Sequence, residues 1–282
     1  MISIKGVIHV HSLYSYDGVK SIEEIKKLFK KVGIDFIILT EHIEGLDNSK
    51  LISFISDCKS LSENDFIIIP GLEFKCEDIE ILGLNISKNF KYSGLDELIS
   101  QIQKNGGLAI LAHPYKYKST INSIFSSLGK LNGVEIWNSR YDGSSPRVNN
   151  IILLKKLRLN KSNIFAYEGL DFHGDVQEII DAKALLISLY KVYKRKIEKR
   201  IFPCTELYHY LTVEKLSTEE IIDKLKRGEF YISRKNIIYD PNFNIKTYNY
   251  ILFKLLNLEH DFLIGLMRKM KMSLIFRNIY RR

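Results

Sequence analysis

Short runs of β-branched and aliphatic residues alternate along the chain with polar-rich stretches of helical period. The apolar runs are IKGVIHV (4–10), IDFIILT (34–40), DFIIIP (65–70), IEILGLNI (79–86), LAILAH (108–113), GVEIWN (133–138), NIFAYEG (163–169) and ALLISLY (184–190). Each is short enough to be one strand, and each is apolar almost throughout, the mark of a strand covered on both faces. Between them, residues 21–32, 94–105 and 146–159 carry apolar positions at helical spacing, and Ser21 with Glu24 three residues on forms a capping box that opens the first of these. Strand, helix, strand repetition predicts an α/β fold with a parallel sheet under helices, six or seven of the runs serving as strands. A barrel and an open doubly wound sheet share this pattern.

The texture changes after about residue 190. The stretch KVYKRKIEKR is followed by a helix expected over 217–227, with Gly228 as its stop, and then by a Leu- and Met-rich basic segment, 248–282. The expected division is therefore 1–190 as the main domain and 191–282 as a basic, helical C-terminal extension that completes or docks on it. Net charge follows the same division: the overall +9 separates into −1 over residues 1–180 and +10 over residues 181–282. A nucleic-acid groove around a site in the first part is thereby disfavoured, while an anionic partner for the C-terminal third stays open. In that tail Leu256, Leu263, Met267, Met270 and Leu274 recur at helical spacing, a stripe that suits packing on the main domain or, alternatively, a membrane surface. Cys58, Cys76 and Cys204 are odd in number and widely spaced, which reads as free thiols. With no long apolar run and no signal-like start, a cytoplasmic protein is expected.

Chemistry enters through the polar residues that close the strands. His9 and His11 are two apart at the end of the first run, a spacing that puts both imidazoles on one face. His42, Glu73, His113, Glu135, Asp171 and His173 each fall at or near the end of a later run, the edge where sites assemble in parallel architectures. Asp17 belongs with them, although an Asp-Gly turn would by itself account for it. Five of the seven histidines are in this set; His209 and His260 stand outside it and carry no assigned role. Imidazole mixed with carboxylate suits Zn²⁺, Mn²⁺ or Fe²⁺. Nine ligands exceed what one ion takes, so two or three divalent ions are expected, with a carboxylate such as Glu73 bridging. Such a cluster would acidify a bridging water and clamp both oxygens of an in-line displacement, the chemistry of phosphoester hydrolysis. Arg140 and Lys116 lie close after two of these strands and are the candidate phosphate-binding residues, with Tyr115, Tyr117, Trp137 and Tyr141 as a candidate stacking wall.

The ordered series HVHSLYSYDG, TEH, GLE, LAHP, GVEIWN and LDFHG resembles the polymerase and histidinol phosphatase (PHP) family of metal-dependent phosphoesterases over about residues 6–175. That resemblance implies a distorted seven-stranded βα (TIM-like) barrel with three ions on the strand C-terminal face. It assigns His9, His11, Glu73 and Asp171 to one ion, Glu73, His113 and Glu135 to a second, and Asp17, His42 and His173 to a third. Glu73, Asp171 and His173 are then the catalytic centre, and the substrate is a phosphomonoester or a short oligonucleotide. The usual Thr-Asp-His is here Thr40-Glu41-His42, which leaves Glu41 to orient a ligand imidazole from outside, and Leu170 replaces a small residue.

Two other readings compete. An amidohydrolase also opens with His-x-His and closes with a late Asp, but its bridging lysine has no good counterpart between His11 and His113. A barrel that keeps metal only as a scaffold, with its basic tail binding a partner, is the second.

Overall fold

The local signals become elements in the computed structural model, which describes residues 1–117, 121, 123–142, 145–174, 207–234 and 237–279. After strand β1 (Ile2–Val10), helix α1 (Ile22–Lys31) starts at the expected capping box: Ser21 Oγ accepts from Glu24 N at 3.2 Å and the Glu24 carboxylate accepts from Ser21 N at 2.8 Å. Its apolar stripe, Ile22, Ile25 and Phe29, is buried. Strands β2 (Phe36–Leu39) and β3 (Glu41–His42) precede α2 (Asn48–Leu61), whose first turn is capped by Asp47. Next come β4 (Ile67–Ile69), β5 (Gly71–Cys76), β6 (Ile79–Leu84), α3 (Leu95–Lys104), β7 (Leu108–Leu111), β8 (Gly133–Asn138), α4 (Val148–Arg158) and β9 (Phe165–Gly169). The C-terminal part supplies β10 (Leu207–Val213), α5 (Thr218–Arg227), β11 (Phe230–Arg234), β12 (Ile237–Tyr239) and α6 (Thr247–Ile279). Gly228, at φ 71°, ends α5 in the left-handed conformation expected of it. The strand expected at 184–190, the segment 191–206, Cys204 and the side chains of Met267, Met270 and Leu274 lie outside the described residues.

The strands form two six-stranded mixed sheets, β12-β11-β10-β1-β2-β4 and β3-β5-β6-β7-β8-β9, in place of the single seven-stranded ring that was expected. Two physical features account for the difference. Pro70, which has no N–H to give a ladder, separates β4 from β5, and Thr40, whose N–H still donates to Val10 O at 2.9 Å, separates β2 from β3, so each of these segments leaves one sheet and enters the other. The run at 79–84 is also not a parallel strand after a helix. It folds back from β5 through Glu77 and Asp78 and pairs antiparallel with both β5 and β7. Parallel pairing survives at β1–β2, β2–β4, β3–β5, β7–β8 and β8–β9. Beyond β9 the chain runs beside the end of β1, with Leu170 N donating to Ile8 O at 3.1 Å and His11 N donating to Phe172 O at 2.8 Å. That contact brings the last site residues to the first.

Within the C-terminal part, β10 pairs antiparallel with β1, His209 opposite Gly6, and its neighbours β11 and β12 extend the same sheet. Helix α6 packs through buried Asn257 against the segment that leads into α4, and through buried Phe253 against Tyr239 and Phe243. No helix among the described residues is long and apolar enough to cross a membrane. Cys58 and Cys76 are buried free thiols.

Candidate metal centre

The strand ends of β1, β3, β5 and β8, with the segments after β7 and β9, converge on one buried cluster. His9, His11, Glu73, His113, Glu135, Asp171 and His173 are all buried there, with His42 close behind. Alternation along β1 does not by itself place the two histidines. His9 has φ 62°, and the β1–β2 register slips between Ile8 and Val10, a bulge that aims both rings into the cluster with centroids 5.2 Å apart. His113 (φ 26°) and Asp171 (φ 52°) are also left-handed, so three site residues hold costly backbone conformations at strand ends.

Glu73 is the hub. Its Oε2 stands 3.3 Å from His9 Nε2, 3.3 Å from His11 Nε2 and 3.4 Å from His42 Nδ1, while Oε1 stands 3.3 Å from His113 Nε2. Asp171 Oδ1 lies 3.6 Å from His9 Nε2 and 3.7 Å from His11 Nε2. Asp17 faces His42 Nε2 at 3.4 Å and His173 Nε2 at 3.0 Å. Most of these separations are longer than a charge-assisted hydrogen bond. Two atoms that each ligate one ion at about 2.1 Å with a tetrahedral angle sit ~3.4 Å apart. The spacing is thus that of ligands around ions. Consistently, among the described residues the buried atoms His11 Nε2 and Asp17 Oδ1 make no hydrogen bond, and three triads have ligand atoms within 4.8 Å of one another: His11, His42 and His173; His9, Glu73 and His113; His9, His11 and Asp171. The donor set fits divalent ions.

Hydrogen bonds to the far ring nitrogens fix which atoms face the cluster. His9 Nδ1 lies 2.5 Å from Glu135 Oε1, and a neutral ring that donates there keeps a lone pair on Nε2. Ser15 Oγ donates to Glu41 Oε2 at 2.5 Å, which leaves it to accept from His11 Nδ1 at 3.1 Å and from His42 N at 3.0 Å. Glu41 therefore reaches the ligand imidazole through Ser15. It also accepts from Ser12 N at 3.0 Å.

Electrostatics follow from this packing. Burial lowers the His11 pKa well below its ordinary value, with His9, His173 and His42 adding repulsion against Glu73's pull, so that ring is neutral. Burial also opposes charge on His9, yet Glu135, Asp171 and Glu73 outweigh it and raise that pKa well above the usual range. Burial disfavours the Glu73 carboxylate, but His9, His113 and His11 hold it well below the carboxylate range.

The expected residues are not all placed as ligands. Glu135 has both oxygens occupied: Oε1 by His9, and Oε2 by His113 N at 2.7 Å and Asn138 Nδ2 at 3.1 Å. Arg140 Nη1 lies 2.5 Å from His173 Nδ1, at the cluster, whereas Lys116 is held by Glu80 at 3.0 Å. The expected stacking wall survives in part, since Tyr117 and Tyr141 both lie against His113 with ring centroids 5.7 and 5.1 Å from it. Trp137 is buried, Tyr115 donates to Asp261, Tyr117 donates to Glu80, and Tyr115, Tyr117 and Tyr141 all stay partly exposed.

Sequence reasoning passed over Glu80, Ser15, Asn138 and Tyr16. Glu80 Oε2 stands 3.4 Å from His113 Nε2, and its signal was a lone acid among the apolar positions of 79–84. Tyr16 stacks on His42 with centroids 4.7 Å apart, and it lines a cavity of about 230 Å³ with His42, Glu44, Glu73, Lys75 and Glu80.

Uncharacterized protein MJ1587 of Methanocaldococcus jannaschii is 31% identical over 174 residues, 55% of this chain and 92% of that protein. PsfC from Pseudomonas syringae shares the fold at a TM-score of 0.54 and 14% identity, over 92% of this chain and 98% of that one. A candidate metal-dependent phosphoesterase from Bifidobacterium adolescentis superposes at a TM-score of 0.45 and 11% identity, over 60% of this chain and 87% of that one. The PHP domain profile matches residues 8–269, nearly the whole chain, and the chain belongs to the PHP domain family.

Proposed function

We propose that the protein hydrolyses a small phosphomonoester with two or three divalent transition ions, Zn, Mn or Fe, held around Glu73. PHP membership and the His and carboxylate triads support a metal-dependent hydrolase. The observation that carries the finer reading is the division of Glu73: one oxygen faces His9, His11 and His42 while the other faces His113, the disposition of a carboxylate shared between neighbouring ions. Ions bound there supply Lewis acidity and an acidified water.

The remaining parts belong to the chain. His9, His11, Asp17, His42, His113, Asp171 and His173 offer the other ligand atoms, and Glu135 orients His9. Burial, with Arg140 beside it, lowers the His173 pKa against the pull of Asp171. His173 Nδ1 also lies 3.0 Å from Asp171 O, and a single ring nitrogen cannot both donate to that carbonyl and accept from Arg140. When Nε2 serves as a ligand, Nδ1 keeps its proton for the carbonyl, and the guanidinium is released to bind phosphoryl oxygens in bidentate fashion. Lys116 is available to substrate only after it leaves Glu80. The cavity of about 230 Å³ beside Tyr16 has room for a small phosphomonoester, being below the ~300–1,000 Å³ of pockets that hold drug-sized ligands.

Glu73→Gln tests the proposal, assayed on p-nitrophenyl phosphate and a panel of nucleoside and sugar phosphates. A loss of at least 100-fold in kcat/KM, with far-UV circular dichroism unchanged, is expected (roughly the range seen on removing one preorganised charge). Phosphate release at the wild-type rate would overturn it.

A further inference from the structure

Helix α6 docks through polar side chains as well as through the apolar Phe253. Asp261 Oδ1 accepts from Arg147 Nη1 at 2.7 Å, and Asp261 Oδ2 accepts from Tyr115 OH at 2.8 Å, with the guanidinium lying 4.1 Å over the Tyr115 ring. Arg147 is buried, and its Nε donates to Asp142 Oδ1 at 3.2 Å. Asp142, also buried, uses its other oxygen to accept from Asn138 N at 2.8 Å. Asn138 Nδ2 in turn donates to Glu135 Oε2 at 3.1 Å and to Asp171 Oδ2 at 3.2 Å. One turn earlier on α6, Asn257 accepts from Val148 N at 2.9 Å and donates to Ser145 Oγ at 3.0 Å and Pro146 O at 3.1 Å, which fixes both sides of Arg147.

We propose that α6 is a working part of the metal centre: Asp261 and Asn257 are positioning residues that, through Arg147, Asp142 and Asn138, hold Glu135 behind His9 and Asp171 facing His9 and His11. From Arg147 inward each joint is a hydrogen bond to a charged group or to buried backbone, the class whose loss is costly when the partner stays buried, while Asp261 meets the buried guanidinium from a side chain that is 44% exposed. Arg147 between two aspartates is a rigid planar link, which a lysine could not reproduce. Asn138 is the branch point, because its one amide reaches the carboxylate that orients His9 and the carboxylate that faces His9 and His11. The C-terminal third thereby acquires a role that its charge alone does not suggest.

The inference rests on the metal-dependent reading, so its test reads metal binding apart from turnover. Mn²⁺ is titrated by calorimetry into the full chain and into Asp261→Asn, Asp142→Asn, the double variant and Asp261→Glu, with thermal unfolding followed in parallel. Each single substitution is expected to weaken Mn²⁺ about 10-fold, the low end for groups behind a ligand. The double variant is expected to lose little more than either single one, since residues of one network do not add. Asp261→Glu should recover part of the loss. Wild-type affinity in a folded Asp261→Asn protein, or losses that multiply in the double variant, would overturn the proposal. Asn257→Ala provides a second route if Asp142→Asn does not fold, with the same 10-fold loss expected and wild-type affinity counting against it. If the wild-type chain itself binds no Mn²⁺, the metal-dependent reading fails instead, a result distinct from unaltered variants.

Discussion

Gly169 makes the room in which Glu135 works, and filling that room is a direct test of the centre's construction. A Cβ built at this position would lie 1.7 Å from Glu135 Oε1 and 2.3 Å from its Cδ. Gly169 is not among the left-handed residues, so alanine meets no backbone strain there and the whole effect comes from the collision. Non-bonded heavy atoms settle about 3.5 Å apart, so the carboxylate must retreat by about 2 Å. That distance is enough to break its 2.5 Å contact with His9 Nδ1 and to disturb its bonds from His113 N and Asn138 Nδ2. Overpacking of this kind costs ~1–3 kcal/mol, and loss of a group behind a ligand lowers metal affinity ~10–100-fold. Gly169→Ala is therefore expected to melt several degrees lower and to bind Mn²⁺ at least 10-fold more weakly by calorimetry. Glu135→Gln, which keeps the volume and removes the charge, should reproduce the affinity loss with less effect on melting. If Gly169→Ala binds Mn²⁺ as the wild type does, Glu135 does not orient His9 and the account of the far ring nitrogens is wrong.

Two further predictions concern neighbouring parts. At Gly18 a Cβ would meet the Ser12 carbonyl oxygen at 1.9 Å, a backbone atom that cannot swing aside, so Gly18→Ala should draw Asp17 away from His42 and His173. Metal analysis of the dialysed variant is expected to show about one ion fewer per chain, and unchanged stoichiometry would remove Asp17 from the ligand set. His209, buried between Tyr167 and Phe230, has its pKa pushed down to about 3 by burial. Above about pH 6.5 it is neutral in both folded and unfolded chains. As pH falls from there towards about 3 the unfolded chain takes up a proton that the folded chain refuses, so stability drops, by up to ~4–5 kcal/mol from this one group. Urea unfolding of the wild type and of His209→Phe between pH 7 and pH 4 should give a visibly flatter dependence in the variant, and parallel curves would refute the assignment.

How far the chain discloses its own centre depends on which physical rule decides each feature. Strand existence, the capping box at Ser21 and the Gly228 stop are local, and the residues in those windows settle them. The convergence of His42, Glu73 and His113 is nearly as legible, because a polar residue at the end of an apolar strand can only sit on that edge. Sheet direction is not local. The antiparallel return at 79–84 turns through Glu77 and Asp78 without the Asn-Gly or Asp-Gly pair that announces a hairpin, so the apolar run looks the same in either direction. Nor is the separation into two sheets visible from periodicity, since Pro70 reads equally well as a loop residue. The hardest distinction is between a carboxylate that would face the proposed ions and one that stands behind an imidazole. Glu73 and Glu135 occupy the same kind of place, near the end of an apolar strand, and their sequence contexts do not separate them. What separates them is three-dimensional. Gly169 on the neighbouring strand leaves a space into which Glu135 extends, and Asn138 and the His113 amide then hold it there, while Glu73 meets no such amide donors among the described residues and faces four imidazoles. The role of each acid is thus set by the hydrogen-bond donors that its neighbours present, and those neighbours are brought together only by the finished fold.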